Sequence, residues 1–206
     1  MCSSDLLDAA RVIAVVRHER DRLAEVITAD LPDAVIVDQD EVPGTGRAVE
    51  QAVAALPADF AGDVLVVNGD VPLLDASTLR ELVAAHRAGG AAATILSSFP
   101  ADATGYGRIV RTSEGHLDRI VEHKDASEAE RAIGEINAGI YVFGAAALRD
   151  MLASVTTDNA QGEKYLTDVI GLLREAGFDV DALPVSESWL VEGINDRAQL
   201  SEAAAR

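Results

Sequence analysis

The sequence has a single cysteine, Cys2, among 206 residues. An internal disulfide and a cysteine-built metal site are therefore excluded, and a reducing, cytoplasmic setting suits the chain. No apolar run approaches the ~18 residues that a membrane-spanning helix needs. The N-terminus has neither the basic segment nor the apolar stretch of a secretory signal. Basic residues are scarce: 17 Lys and Arg face 35 Asp and Glu, a net charge of 17 − 35 = −18 with His neutral. Nucleic acid and anionic membrane both demand a basic face, so neither is expected as a partner. A small phosphorylated ligand stays open, because backbone dipoles and a bound cation can override the global field. The four histidines show no metal-ligand spacing, and no Ser/His/Asp signature, repeat or low-complexity tract occurs.

What is present is strand and helix in alternation. "RVIAVV" (11–16), "AVIVD" (34–38) and "VLVV" (64–67) are short and apolar throughout, the pattern of strands covered on both faces of a parallel sheet. Between them, "ERDRLAEVITAD" places Leu23, Val26 and Ile27 on one helical stripe, and "GRAVEQAVAAL" repeats the spacing with Val49, Val53 and Leu56. "STLRELVAAHRAGG" groups Leu79, Leu82, Val83 and His86 and ends at a glycine pair suited to a C-cap, with Asp75 or Ser77 as its N-cap. From Ala91 the chain turns strand-rich: "AAATILSS", "YGRIVRT", "HLDRIVEH" and "INAGIYVF". Helices return at "AAALRDMLASV" and "EKYLTDVIGLLREAG", followed by a strand-like "SWLVEGI" and a last helix from about Asn195. The pattern predicts one mixed α/β domain over residues 1–206 with a β-rich insertion.

Several polar residues sit where such a fold binds ligands. In open α/β sheets that place is outside the carboxyl ends of the strands. Asp70 follows "VLVVNG", and Pro72 turns the chain away; an Asx-turn explains this carboxylate as well as a ligand does. Gly44, Thr45 and Gly46 lie between the second strand and a helix, where backbone can approach a ligand closely or merely turn. Gly107 and Glu122 read as turn or surface residues taken alone. Asn137 is unusual, because a strand interior disfavours Asn, while Asn195 also reads as an N-cap.

Taken in order, "QDEVPGTGRA", "VVNGDVPLL", "GYGRIVR", "IVEHKDA", "EINAGIYVF", "DNAQGEKYLTDVI" and "VEGINDR" resemble the uridylyltransferase half of the bacterial N-acetylglucosamine-1-phosphate uridylyltransferases. The resemblance runs from about Arg11 to the C-terminus. It implies a Rossmann-like nucleotidyltransferase fold with a β-rich sugar-binding insertion. It also implies the joining of UTP and N-acetylglucosamine 1-phosphate into UDP-N-acetylglucosamine and pyrophosphate with Mg²⁺, for cell-envelope precursors. A truncated, inactive UDP-sugar-binding module and a related sugar-1-phosphate nucleotidyltransferase are the alternatives. By matching position, Gln39, Gly44 and Thr45 would read the uracil, and Asn68, Gly69 and Asp70 would run under the ribose and phosphates. Gly107, Glu122 and Asn137, with Asn195, would contact the amino sugar. Asp70 and Asn195 would form the catalytic, Mg²⁺-holding pair.

That role gives the Asp70 carboxylate a physical purpose. Two like unit charges 4 Å apart repel by ~4 kcal/mol at an effective dielectric near 20, so a bare carboxylate beside a triphosphate weakens binding. A divalent cation between them reverses the sign, and Mg²⁺ accepts one or two carboxylates plus substrate phosphate.

The family's opening strand and glycine-rich phosphate loop have no counterpart here; "RVIAVV" matches its second strand, and "MCSSD" (1–5) matches nothing in it. The expectation is an N-terminally incomplete domain with open sheet edges, marginal stability and a tendency to aggregate. No hexapeptide repeat occurs, so the family's trimer-forming β-helix is not implied.

Overall fold

The computed structural model describes residues 9–194 and 197–204. Two aliphatic runs, β1 (Ile13–Val16) and β2 (Val35–Asp38), pair in parallel with Ile13 opposite Val35. Helix α1 (Arg20–Asp30) crosses between them. Its expected apolar stripe is only partly covered: no residue of α1 is fully buried, Leu23 and Val26 are 43% and 58% exposed, and Ile27 is half-buried. Helix α2 (Thr45–Ala54) differs, because Val49 and Val53 enter the main core as their spacing predicts.

Strand β3 (Asp63–Val66) departs from the expected parallel arrangement. It pairs antiparallel with β7 (Ile136–Gly144), Asp63 opposite Gly144. Among the described residues no pairing joins it to β1 or β2. A short apolar run reports burial on both faces and says nothing of the neighbour's direction, which is why the pattern misled.

The larger sheet is built around β7. With β4 (Ala93–Ser98), β5 (Arg108–Arg111), β6 (Leu117–Val121) and β8 (Val180–Pro184), its order is β6-β5-β7-β4-β8, and β3 lies beside β7. Only β4 and β8 pair in parallel within it. Strand β8 escaped the sequence pattern because Asp181 breaks its apolar run and Pro184 closes it. The reverse error falls on "SWLVEGI": Ser188–Val191 is a 3-10 turn, and neighbouring Leu190 and Val191 both enter the core. A one-faced strand would send them to opposite sides.

Helices complete the layers. α3 (Ala76–Gly89) is capped by Asp75, whose Oδ1 accepts the Thr78 N–H at 2.7 Å, and it ends at left-handed Gly90. A short α4 (Glu128–Arg131) carries a full capping box from Ser127 and Glu130. α5 (Ala145–Leu152) and α6 (Asp168–Glu175) follow, and α7 (Arg197–Ala204) closes the chain. α6 begins five residues later than "EKYLTD" suggested, leaving 163–167 outside the helix.

Alternation on the two central strands sends side chains to both faces. Ile95 and Phe143 join Val49, Leu148, Ile170 and Leu173 on one side. Leu96 and Val142 join Leu79, Leu82 and Leu190 on the other. A polar clamp secures the β5 side: Glu135 accepts from Arg111 at 2.7 and 2.8 Å and from Ser97 Oγ at 2.8 Å. Among the described residues no helix is long and apolar enough to cross a membrane.

Candidate active site

Along one edge of β7 two strands lie end to end. β3 stops with Val66 opposite Tyr141, and β5 starts with Arg108 opposite Ile136. β7 residues 137–140 span the gap between them, and they bulge. Against β4, Ile95 faces Tyr141 but Ser97 faces Asn137, two residues beyond regular register. Gly139 makes this possible with φ +75°, and a Cβ there would overlap the Asn68 amide. Bulges re-aim side chains beside functional sites. This one lies at the carboxyl end of β3, where Asn68, Gly69 and Asp70 emerge.

The candidates then assemble from three directions. Asn68 reaches Gly139 from β3. The Asn137 N–H donates to the Gly107 carbonyl at 2.9 Å, joining β7 to the turn before β5. A Cβ at Gly107 would lie 3.5 Å from a Glu122 carboxylate oxygen, so the glycine keeps space open beside that carboxylate. The Asn137 side chain has local work of its own. It accepts the Gly139 N–H at 3.0 Å and donates to the Tyr141 hydroxyl at 2.7 Å, which explains an Asn inside this strand.

Asp70 is solvent-exposed, and no hydrogen bond or ion pair engages its carboxylate among the described residues. Its carbonyl accepts the Ile194 N–H at 2.8 Å. Asn195, its expected partner, lies outside the described residues. Tyr106 sits half-buried beside the same segment, taking a backbone hydrogen bond from Gly193. Burial pushes its phenol pKa up, and the charges of Glu192 and Asp70 add to that.

Gln39, Gly44 and Thr45 form a second group, on the loop that opens α2. Gln39 Nε2 donates to the carbonyls of Val42 (3.2 Å) and Gly44 (3.1 Å), holding the loop shut. Both loop glycines have a local reason. A Cβ on Gly44 (φ +112°) would overlap the Lys164 backbone, and one on Gly46 would come within 3.0 Å of the Lys164 carbonyl. Asp40 pairs with Arg47, which also bonds Glu50 at 2.6 Å; Lys164 Nζ joins Glu50 at 3.1 Å.

The two groups meet through residues 164–167, whose roles the sequence pattern left unassigned although their motif stood out. Thr167 Oγ1 donates to Glu122 Oε1 at 2.9 Å. Burial raises the Glu122 carboxyl above its usual range, the Thr167 bond opposes this, and Asp168, Asp125 and Glu163 push it further up. Asp168 is raised as well, first by burial and then by Asp125. The shelf between β3, β5 and β7 is thus acidic, with glycine-backed space and an unengaged carboxylate at its rim. Gly139 is the other residue missed, and its signal was legible: a glycine inside a strand pattern marks a bulge.

Comparison with known proteins gives the family and the fold. The chain matches the Nucleotidyl transferase family over residues 6–190. It is 88% identical over 200 residues to the bifunctional protein GlmU of Leifsonia xyli subsp. xyli, covering 97% of this chain and 41% of that protein. To the bifunctional protein GlmU of Clavibacter sepedonicus it is 54% identical over 204 residues, 99% of this chain and 41% of the relative. The chain therefore spans about two fifths of the length of these curated relatives. Among solved structures it is similar to 4-diphosphocytidyl-2C-methyl-D-erythritolsynthase from Anaerococcus prevotii, with a TM-score of 0.66 at 14% identity, covering 98% of this chain and 80% of that one. At that identity the likeness shows the fold alone.

Proposed function

Because the chain belongs to the Nucleotidyl transferase family, we propose that it serves as a single domain that moves uridylyl from UTP to N-acetylglucosamine 1-phosphate. The products are UDP-N-acetylglucosamine, a cell-envelope precursor, and pyrophosphate, made in the cytoplasm. The observation that carries this reading is the fork on β7, where Asn68, Gly107, Glu122 and Asn137 converge beside Asp70.

In this reading the loop bearing Gln39, Gly44 and Thr45 receives the uracil, and its backbone groups read the base edge. Asn68 and Gly69 pass under the ribose and phosphates. Gly107, Glu122 and Asn137 hold the amino sugar, with the Glu122 carboxylate accepting from sugar hydroxyls. Holding both substrates so that the sugar phosphate faces the α-phosphorus in line converts a bimolecular encounter into an oriented one. No side chain is needed as a nucleophile.

The surroundings fit a hard divalent cation. Asp70 offers an exposed, unengaged carboxylate in an acidic region, where an anionic ligand is otherwise repelled. Mg²⁺ accepts one or two carboxylates together with substrate phosphate, so a single carboxylate suffices on the protein side. Asp70, with Asn195 as its second oxygen donor, would hold it, and when bound it offsets phosphate charge.

The experiment is Mg²⁺-dependent pyrophosphate release from UTP and N-acetylglucosamine 1-phosphate. It is run on this chain, on the chain joined to a family-type glycine-rich segment, and on the Asp70→Ala variant of each. Release that Asp70→Ala abolishes while the fold persists is the expected result. Binding of UDP-N-acetylglucosamine without release would mark a binding module instead, and inactivity and absence of binding in every form would overturn the reading.

A further inference from the structure

Residues 164–167 turn into α6, with Thr167 as its N-cap, and they are bonded on two further sides. Toward the α2 loop, the Gly46 N–H donates to the Lys164 carbonyl at 2.8 Å, and the Lys164 N–H donates to the Pro43 carbonyl at 3.0 Å. The Leu166 N–H donates to Thr45 Oγ1 at 3.2 Å. These bonds stitch the loop to the segment in both directions, and the two glycines let the backbones come that close. Toward the insertion, Thr167 Oγ1 donates to Glu122 at 2.9 Å, and the Tyr165 hydroxyl bonds Asp125 at 3.2 Å. Tyr165, Leu166 and Thr167 are all buried.

A short buried segment with a bond at each end has little freedom to answer one side without the other. Thr167 directly follows Leu166, whose amide holds the Thr45 hydroxyl. Only two main-chain torsions, φ and ψ of buried Leu166, separate that amide from the Thr167 residue that bonds Glu122. A ligand that draws on the Glu122 carboxylate competes with the Thr167 bond and, through one buried residue, bears on the contact that sets Thr45.

We propose that Thr167 is a positioning residue for both pockets, so that 164–167 acts as a strap through which an amino sugar bound at Glu122 and a uridine nucleotide bound at the Gly44–Thr45 loop change each other's affinity. This deepens the proposed function and rests on that placement of the two ligands. The coupling must be reciprocal: whatever factor the sugar imposes on the nucleotide, the nucleotide imposes on the sugar.

The test uses uridine 5′-monophosphate and uncharged N-acetylglucosamine as probes, so that phosphate repulsion does not enter. Nucleotide affinity is measured by titration calorimetry with and without saturating sugar, for the unmodified chain, Thr167→Val and Thr167→Ser. The expected result is a several-fold ratio in the unmodified chain, restored in Thr167→Ser and close to one in Thr167→Val. A purely structural loss would weaken both titrations alike and leave the ratio unchanged, and that outcome overturns the proposal. A second arm needs no ligand: amide exchange at Gly46, Lys164 and Leu166 should quicken in Thr167→Val relative to Thr167→Ser, while Val142 in β7 stays unchanged. Unaltered exchange at those three amides also overturns the strap. Failure of the unmodified chain to bind either probe counts against the proposed function, and the exchange arm then decides the strap alone.

Discussion

The β1–α1–β2 unit and the sheet around β7 are made of the same residue types, yet they are held in different ways. In the first, two four-residue strands pair only with each other among the described residues, and their crossing helix has no fully buried residue. In the second, β4 and β7 are covered on both faces, and Leu82, Ile95, Phe143, Val142 and Ile170 are fully buried. Two strands alone are marginal in water, and parallel sheets ordinarily need both faces covered. Pattern thus decides what an element is; the number of layers around it decides how firmly it is held. The candidate site draws on both regions, since Gln39 follows β2 whereas Asn137 and Gly139 sit in β7.

Amide exchange would break this contrast most directly. Backbone amides of β1, α1 and β2 should exchange faster than those of β4 and β7 by a factor on the order of 10² or more, because local opening costs far less than global unfolding. Equal protection would mean that the partly exposed α1 face is covered in solution. A mutational pair comes next. Phe143→Ala should cost about 3–5 kcal/mol in urea denaturation, whereas Leu23→Ala should stay within about 0.5 kcal/mol. A large loss at Leu23 would place it in a core after all.

Gly139→Ala should be intermediate, about 1–3 kcal/mol. It forces a left-handed conformation on alanine and pushes a methyl into Asn68. Gly115→Ala, at φ +88° with nothing nearby, should carry the conformational part alone. If the two variants melt together, the Asn68 contact contributes nothing.

The smallest effect concerns Glu122, whose carboxyl is raised mainly by burial. A carboxyl with a raised pKa in the fold holds more protons there than in the unfolded chain. Its stabilising share is complete below the ordinary glutamate value of about 4.3 and is lost as pH rises through the raised one. Glu122→Gln should therefore melt slightly higher than the parent at pH 7, with no advantage at pH 4, while losing affinity for the amino sugar. Lower stability at pH 7 would mean that the carboxylate is better solvated than its neighbours suggest.

Much of this was legible in the residues. The caps of α3 at Asp75 and Gly90 followed from turn and cap chemistry, and Val49, Val53, Leu79 and Leu82 from helical spacing. What spacing could not carry was partnership. The direction of β3, the bareness of Leu23 and Val26, and the reach of Thr167 to Glu122 all depend on residues distant in sequence, and none leaves a local period. The candidate residues were found as motifs because they lie at strand ends. That Thr45 binds the Leu166 amide, and that Asn137 buttresses a bulge, needed coordinates.

Ser98 and Ile136 face each other across the β4–β7 pairing, so the excursion carrying β5, β6 and α4 leaves and rejoins the sheet at adjacent points. Such a stretch is a cassette. Its two ends already meet, so a change of length within its loops need not displace β4 or β7, provided Ile109, Leu117 and Ile120 keep their places in the core. Of the candidate residues, Gly107 and Glu122 ride on this cassette, whereas Gln39, Gly44 and Thr45 lie outside it and meet it through residues 164–167.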